Sequence, residues 1–147
     1  MNARPVAPTA RPAWFWIVAT AALLWNLIGL SMFAVHYSMG PEQLAALPAG
    51  ERQLLDSAPA WAWAAYGLAV VAGSLASLAL LLRRRLAVPL YWISLAAVLV
   101  QFAWTAVISG APAILGAGAL AMPVAVVAVA VLLVWFSHRA ARRGWIA

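Results

Sequence analysis

Apolar positions in this chain come in blocks rather than in alternation. Residues 14 to 37, 61 to 82, 86 to 109 and 112 to 136 are apolar almost throughout, and no Asp, Glu, Lys or Arg falls inside any of these four runs. Each is longer than the roughly 20 residues a helix needs to cross about 30 Å of hydrocarbon. Backbone amides exposed to lipid must be satisfied within their own segment. The only other solution, a closed barrel, needs alternating strands that this pattern lacks. The pattern predicts an all-α integral membrane protein, a bundle of four transmembrane helices.

The polar residues lie between the runs. Residues 1 to 13, with Pro5, Pro8 and Pro12 and little to bury, are expected to be a disordered tail. Residues 38 to 60 form the one sizeable loop, in which Pro41-Glu42-Gln43-Leu44 and Gly50-Glu51-Arg52-Gln53-Leu54-Leu55 read as two short amphipathic turns separated by Pro48. Pro41 followed by Glu42 is a helix-start signature, and the loop's leucines are expected to fold it over the outer mouth of the bundle. Arg83-Arg84-Arg85 is nearly the whole connection between the second and third runs, which makes those helices an antiparallel hairpin with Pro89 in the first turn of the third. Ser109-Gly110-Ala111-Pro112 predicts a tight turn, and Gly116, Gly118 and Pro123 a kink in the fourth helix. Residues 138 to 147 are expected as a basic cytoplasmic tail after a membrane domain spanning 14 to 137.

Composition agrees. Of 147 residues 67% are hydrophobic, with 9 basic and 3 acidic side chains, too few polar groups to cover a water-facing surface. A net charge of +6 would suit nucleic acid, but eight of the nine arginines flank apolar runs, which is a pattern of topology and excludes nucleic acid as the partner. Arg4, Arg11, Arg83, Arg84, Arg85, Arg139, Arg142 and Arg143 fall on one side when four helices are threaded, whereas Arg52 stands on the other with Glu42, Glu51 and Asp56. The positive-inside rule then predicts an N-in, C-in topology. Aromatic residues fall into matching belts: Trp14, Phe15, Trp16, Tyr91, Trp92, Trp135 and Phe136 on the arginine side, and Tyr37, Trp61, Trp63 and Tyr66 on the other. Anionic lipid headgroups are expected against Arg83, Arg84, Arg85, Arg139, Arg142 and Arg143. Lysine is absent and alanine makes up about a quarter of the chain, which resembles the usage of a high-GC genome. The first run lacks a clear small-x-small cleavage site and reads as a retained signal anchor; the expected location is a bacterial inner membrane.

Candidate chemistry is sparse. Without cysteine there are no disulfides, thiolate metal sites or cysteine nucleophiles. Spans free of Asp, Glu, Lys and Arg argue against proton-coupled carriers, pumps and voltage sensors. No Walker loop, GxGxxG, HExxH or GxSxG occurs, so no enzyme, metal or cofactor is expected. His36 would form a pH-responsive pair or weak metal site only if Glu42, Glu51 or Asp56 converged on it, and otherwise reads as an interfacial polar residue. His138, among arginines, reads as headgroup-facing surface. Asn26 and Gln101 are the costly groups to bury. Each lies twelve residues beyond an inner-edge marker, Trp14 or Pro89. At 1.5 Å per residue that is about 18 Å, so the two amides are level. They are expected to face inward and to bond each other, a backbone carbonyl, or a trapped ligand or water, with Thr105 adding a hydroxyl and Trp104 a stacking face. On the second run Ala65, Ala69, Gly73 and Ser77 form a small-xxx-small ridge, for packing inside the bundle or for a dimer seam.

The runs Leu24-Trp25-Asn26-Leu27-Ile28-Gly29, Pro59-Ala60-Trp61, Leu80-Leu81-Leu82-Arg83-Arg84-Arg85-Leu86-Ala87-Val88-Pro89 and Arg139-Ala140-Ala141-Arg142-Arg143-Gly144 resemble a family of small bacterial four-helix inner-membrane proteins. Its members are uncharacterised, some carrying the automatic label "sugar transporter". The resemblance covers most of residues 14 to 146 and implies the same bundle. Where members often have an acid shortly after the Trp-Asn-x-x-Gly run, this chain has Ser31, Met32 and Phe33. Two functions are expected to compete. One is a non-catalytic accessory subunit of a larger membrane complex, or a self-associating component. The other is a carrier or binder of a small neutral solute, a sugar or a lipid-like molecule, using Asn26, Gln101, Trp104 and Thr105.

Overall fold

The computed structural model describes residues 12 to 147; the expectation of a disordered stretch through residue 11, with Arg4 and Arg11, lies outside the described residues. Among the described residues the chain is helical and contains no strand. Helices α1 (Ala13–Tyr37), α4 (Ala60–Leu81), α5 (Ala87–Ala103) and α7 (Ala121–Arg142) are joined by the short helices α2 (Pro41–Ala45), α3 (Ala49–Ser57) and α6 (Ala111–Leu115). Four helical segments, those of α1 and α4, Ala87–Ile108 and Ala117–Arg142, are long and apolar enough to cross a membrane.

Local chemistry sets the helix boundaries. Pro12, Pro48 and Pro59 precede α1, α3 and α4 in extended conformation, and Pro41 opens α2, where a missing N–H costs nothing. Ahead of α2 the Gln43 side-chain oxygen accepts the Gly40 N–H at 3.0 Å. Past Ala103 the backbone of α5 widens into a π-type turn, Trp104–Ile108, in which the Ser109 N–H reaches back to the Trp104 carbonyl at 2.8 Å. The kink anticipated in the fourth span is a full break at Gly116, whose φ of 85° lies in the left-handed region that favours glycine. A turn of 3-10 helix, Ala117–Leu120, follows, and Pro123 sits in the first turn of α7, where its missing N–H costs little. The loop between α1 and α4 folds back: a Cβ on Gly50 of α3 would lie 2.7 Å from Leu115 Cδ2, so α3 rests on α6.

The backbones pack as α1 on α4, α4 on α5 and α5 on α7. Sandwiched between two neighbours, α4 buries Ala62, Ala65, Ala69, Ala72, Gly73, Ala76, Ser77 and Ala79, with Leu80 the one large side chain among them, whereas Leu68, Leu75 and Leu78 are turned outward. Small inside and large outside suits a bilayer, where lipid solvates leucine as well as protein does and close backbone approach supplies the association. At the arginine-bearing end the Phe15 ring lies 5.9 Å from that of Phe136 and 5.8 Å from that of Trp145, which brings α1 and α7 together there.

Residues 138 to 147 are not a free tail. Helix α7 continues to Arg142 and closes in a Schellman motif: Gly144 takes φ 69°, the Trp145 N–H donates to the Ala140 carbonyl at 2.9 Å, and the Gly144 N–H to Ala141 at 3.1 Å. The end of α4 repeats the motif with Arg83 at φ 59°, the Arg84 N–H donating to Ala79 at 2.7 Å. The two ends are then stitched together, the Arg85 N–H donating to the Ala147 carbonyl at 2.9 Å and the Ala147 N–H to Arg83 at 2.8 Å, with Trp145 and Ile146 buried beneath.

Candidate ligand-binding cleft

An asparagine in the middle of α1 needs partners for its amide, and α4 supplies the main one. Asn26 Nδ2 donates to its own helix at the Ala22 carbonyl, 2.9 Å, and to Ser77 Oγ of α4, 3.1 Å. Ser77 Oγ donates in turn to the Gly73 carbonyl at 2.9 Å and shares a 2.9 Å hydrogen bond with the Tyr91 hydroxyl of α5. A serine hydroxyl has one proton, so with that proton on Gly73 the tyrosine is the donor in the Ser77–Tyr91 bond. One fully buried oxygen thus fastens α1, α4 and α5. Alongside it Ser94 Oγ donates to the Ala69 carbonyl at 2.8 Å, a second tie between α5 and α4. Gly73 makes room for both, because the space a Cβ would take there is filled by Asn26 Oδ1 and Ser94 Oγ.

Of the partners expected for Asn26 it takes a backbone carbonyl, that of Ala22, and not the Gln101 amide. Helix α4 stands between the first and third spans, and its serine is the group within reach of Asn26. The two amides do line the same space, a cavity of about 330 Å³ bordered by α1, α4, α5 and α7. Its sides are apolar: Trp25, Ile28 and Met32 on α1, and Met122, Val126 and Val129 on α7. Asn26, Tyr66, Tyr91, Ser94, Gln101 and Thr105 give it a polar floor without a charged side chain. Ile28, Met32 and Met122 at the rim are exposed, so the cavity opens where α1 and α7 part. Within it Gln101 is the anomaly. Its side-chain oxygen is shut away with no hydrogen-bond partner, and among the described residues its amide nitrogen has none either.

The remaining expected residues divide. Thr105 borders the cavity and donates to the Gln101 backbone carbonyl at 3.1 Å. Trp104 is buried but does not border the cavity, so the stacking face expected of it is not offered there. Ala65, Ala69, Gly73 and Ser77 are buried inside the chain itself, against α1 and α5. Arg83, Arg84, Arg85, Arg142 and Arg143 are exposed, and Arg139 lies 5.5 Å over the Trp135 ring. His138 is more than surface: its Nε2 accepts the Trp92 Nε1–H at 2.8 Å, joining α5 to α7. His36 is half-buried at the end of α1, and among the described residues no three His, Asp or Glu side chains gather as a metal site would need. Tyr91 and Ser77, the centre of the network, escape a reading by residue type, since a membrane serine ordinarily bonds its own helix and a tyrosine near a helix start reads as belt. No known protein family, no curated protein and no solved structure matches this chain.

Proposed function

We propose that this chain is a non-catalytic, multi-pass protein of the bacterial inner membrane, with both termini cytoplasmic, and that it holds a small neutral lipid-like molecule in the cleft between α1 and α7. The uncommitted amide of Gln101 carries the reading. An unpaired amide away from water costs on the order of 2 to 7 kcal/mol, a loss that a ligand sharing hydrogen bonds with it would relieve. The cavity of about 330 Å³ is at the small end of ligand sites and has the usual mixture of apolar walls with a few polar groups. A sugar is the poorer fit, because several hydroxyls would need partners and most of the polar groups here are already engaged with the protein. Arginine asymmetry supports the orientation. Membership of a larger complex, or self-association, is the second reading, favoured by α1, which packs along α4, meets α7 at its Phe15 end and leaves much of its remaining surface open to a partner's helix.

Extraction of the full chain into lipid nanodiscs, with mass spectrometry of what accompanies it, separates the two. A stoichiometric neutral amphiphile that is lost in Gln101→Leu supports the cleft. A stoichiometric membrane polypeptide with no small molecule replaces that reading with the accessory subunit. Orientation is tested with single cysteines, Arg84→Cys and Arg52→Cys, in a chain that has none of its own. An impermeant thiol reagent on intact cells should label position 52 only, and labelling at 84 with protection at 52 would reverse the topology.

A further inference from the structure

We propose that the head of the bound molecule is a neutral hydrogen-bond donor, a hydroxyl or an N–H, seated on the side-chain carbonyls of Asn26 and Gln101. The inference rests on the cleft-binding reading above and narrows it. Its ground is an inventory of protons. Both amide protons of Asn26 are taken, by the Ala22 carbonyl and Ser77 Oγ. The hydroxyl protons of Ser94, Thr105 and Ser77 go to the backbone carbonyls of Ala69, Gln101 and Gly73. That of Tyr91 goes to Ser77.

What is left over is mainly acceptor capacity. Asn26 Oδ1 accepts no hydrogen bond among the described residues, and the oxygens of Ser94, Thr105 and Tyr91 keep lone pairs. The Gln101 amide is bonded at neither end, so a turn about its last side-chain torsion presents oxygen or nitrogen to the cavity without breaking a bond. Unspent donors are that NH2, the Tyr66 hydroxyl and, at the rim, the indole N–H of Trp25. A head that only accepts, such as an ether, ester or ketone, leaves these carbonyls bare. An anionic head meets no cation among the lining residues. A hydroxyl donates to the Gln101 side-chain carbonyl once that amide has turned, with Asn26 Oδ1 as the other acceptor able to share the proton, while its alkyl chain leaves between Ile28, Met32 and Met122 toward lipid.

The test uses the intact chain in nanodiscs and a long-chain alkanol bearing a mid-chain diazirine, competed by the unlabelled alkanol or by its methyl ether. Crosslinks are expected at Trp25, Met32 or Met122, with the alkanol competing at least about tenfold better than the ether, as one net hydrogen bond allows. In Gln101→Met, which removes no hydrogen bond from the fold, that preference should fall to about twofold or less. Equal competition by alkanol and ether in the unaltered chain overturns the donor head and leaves cleft binding standing. Full preference retained in Gln101→Met overturns the assignment to this amide. Absence of crosslinks in the cleft overturns this inference together with the proposed function.

Discussion

Replacing Gly73 with alanine adds a single methyl group where three helices meet. The new Cβ would collide with Asn26 Oδ1 and lie 3.0 Å from Asn26 Cγ and 3.1 Å from Ser94 Oγ. Neither neighbour is a loose end. The nitrogen of Asn26 is held on both Ala22 and Ser77, and Ser94 is held on Ala69. Either Asn26 swings out and gives up Ser77, or α1 backs away from α4. Overpacking of this kind costs about 1 to 3 kcal/mol, a lost interhelical bond in a membrane adds about 0.6 kcal/mol, and the better helix propensity of alanine returns about 0.5 to 1 kcal/mol. The balance is a destabilisation of about 2 kcal/mol. Gly29→Ala is the internal control, since its Cβ would meet Val70 Cγ1 at 3.4 Å, an ordinary contact; it should be neutral or slightly stabilising. Equilibrium unfolding of both variants in mixed micelles of rising dodecyl sulfate content measures the difference. Asn26→Ala added to Gly73→Ala should cost less than the sum of the two, because the truncated side chain no longer meets the new methyl. The reasoning fails if Gly73→Ala is as stable as Gly29→Ala, or if the pair is additive.

In the same assay Asn26→Leu and Ser77→Ala should couple by roughly 0.6 to 1.7 kcal/mol, whereas Asn26→Leu and Gln101→Leu should add; the opposite pattern would restore the direct amide pair. Arg83→Gly should stabilise the chain by up to about 1 kcal/mol, because a residue with a Cβ at φ 59° carries left-handed strain, and a loss of stability would mean that the arginine side chain contributes more than its backbone costs. Trp145→Ala should cost about 3 kcal/mol and expose the amides of Arg85 and Ala147 to hydrogen exchange, and unchanged protection there would show that the stitching stands without the buried ring.

The membrane helices are legible because bilayer thickness dictates run length, and the inward faces of Asn26, Gln101 and the Ala65-to-Ser77 ridge are legible because lipid penalises a bare amide and rewards small residues at seams. Which helix answers Asn26 is not legible. Depth follows from residue spacing, but the order of helices around the bundle does not, so two level amides on the first and third spans suggest a pair that α4 in fact separates. The docked C-terminal segment carried a usable signal, a glycine just past a basic last turn followed by the apolar Trp145 and Ile146, which is how a Schellman motif reads. Arg83 offered no such signal, since nothing about an arginine announces a positive φ. The cleft itself depends on α1 and α7 meeting at one end and parting at the other, a relation between the first and last spans that no local pattern encodes.

The π-type turn at Trp104–Ile108 amounts to one residue more than a regular helix of the same rise would hold. Deleting a residue from it would restore an unbroken α-helical ladder, whereas deleting one from the regular turns upstream would rotate every following side chain by about 100° and unseat Gln101 from the cavity wall. This stretch is thus a place where the third span can change its length without losing its phase. The depth of the tight connection at Gly110 and the composition of the cavity wall can accordingly vary independently of each other.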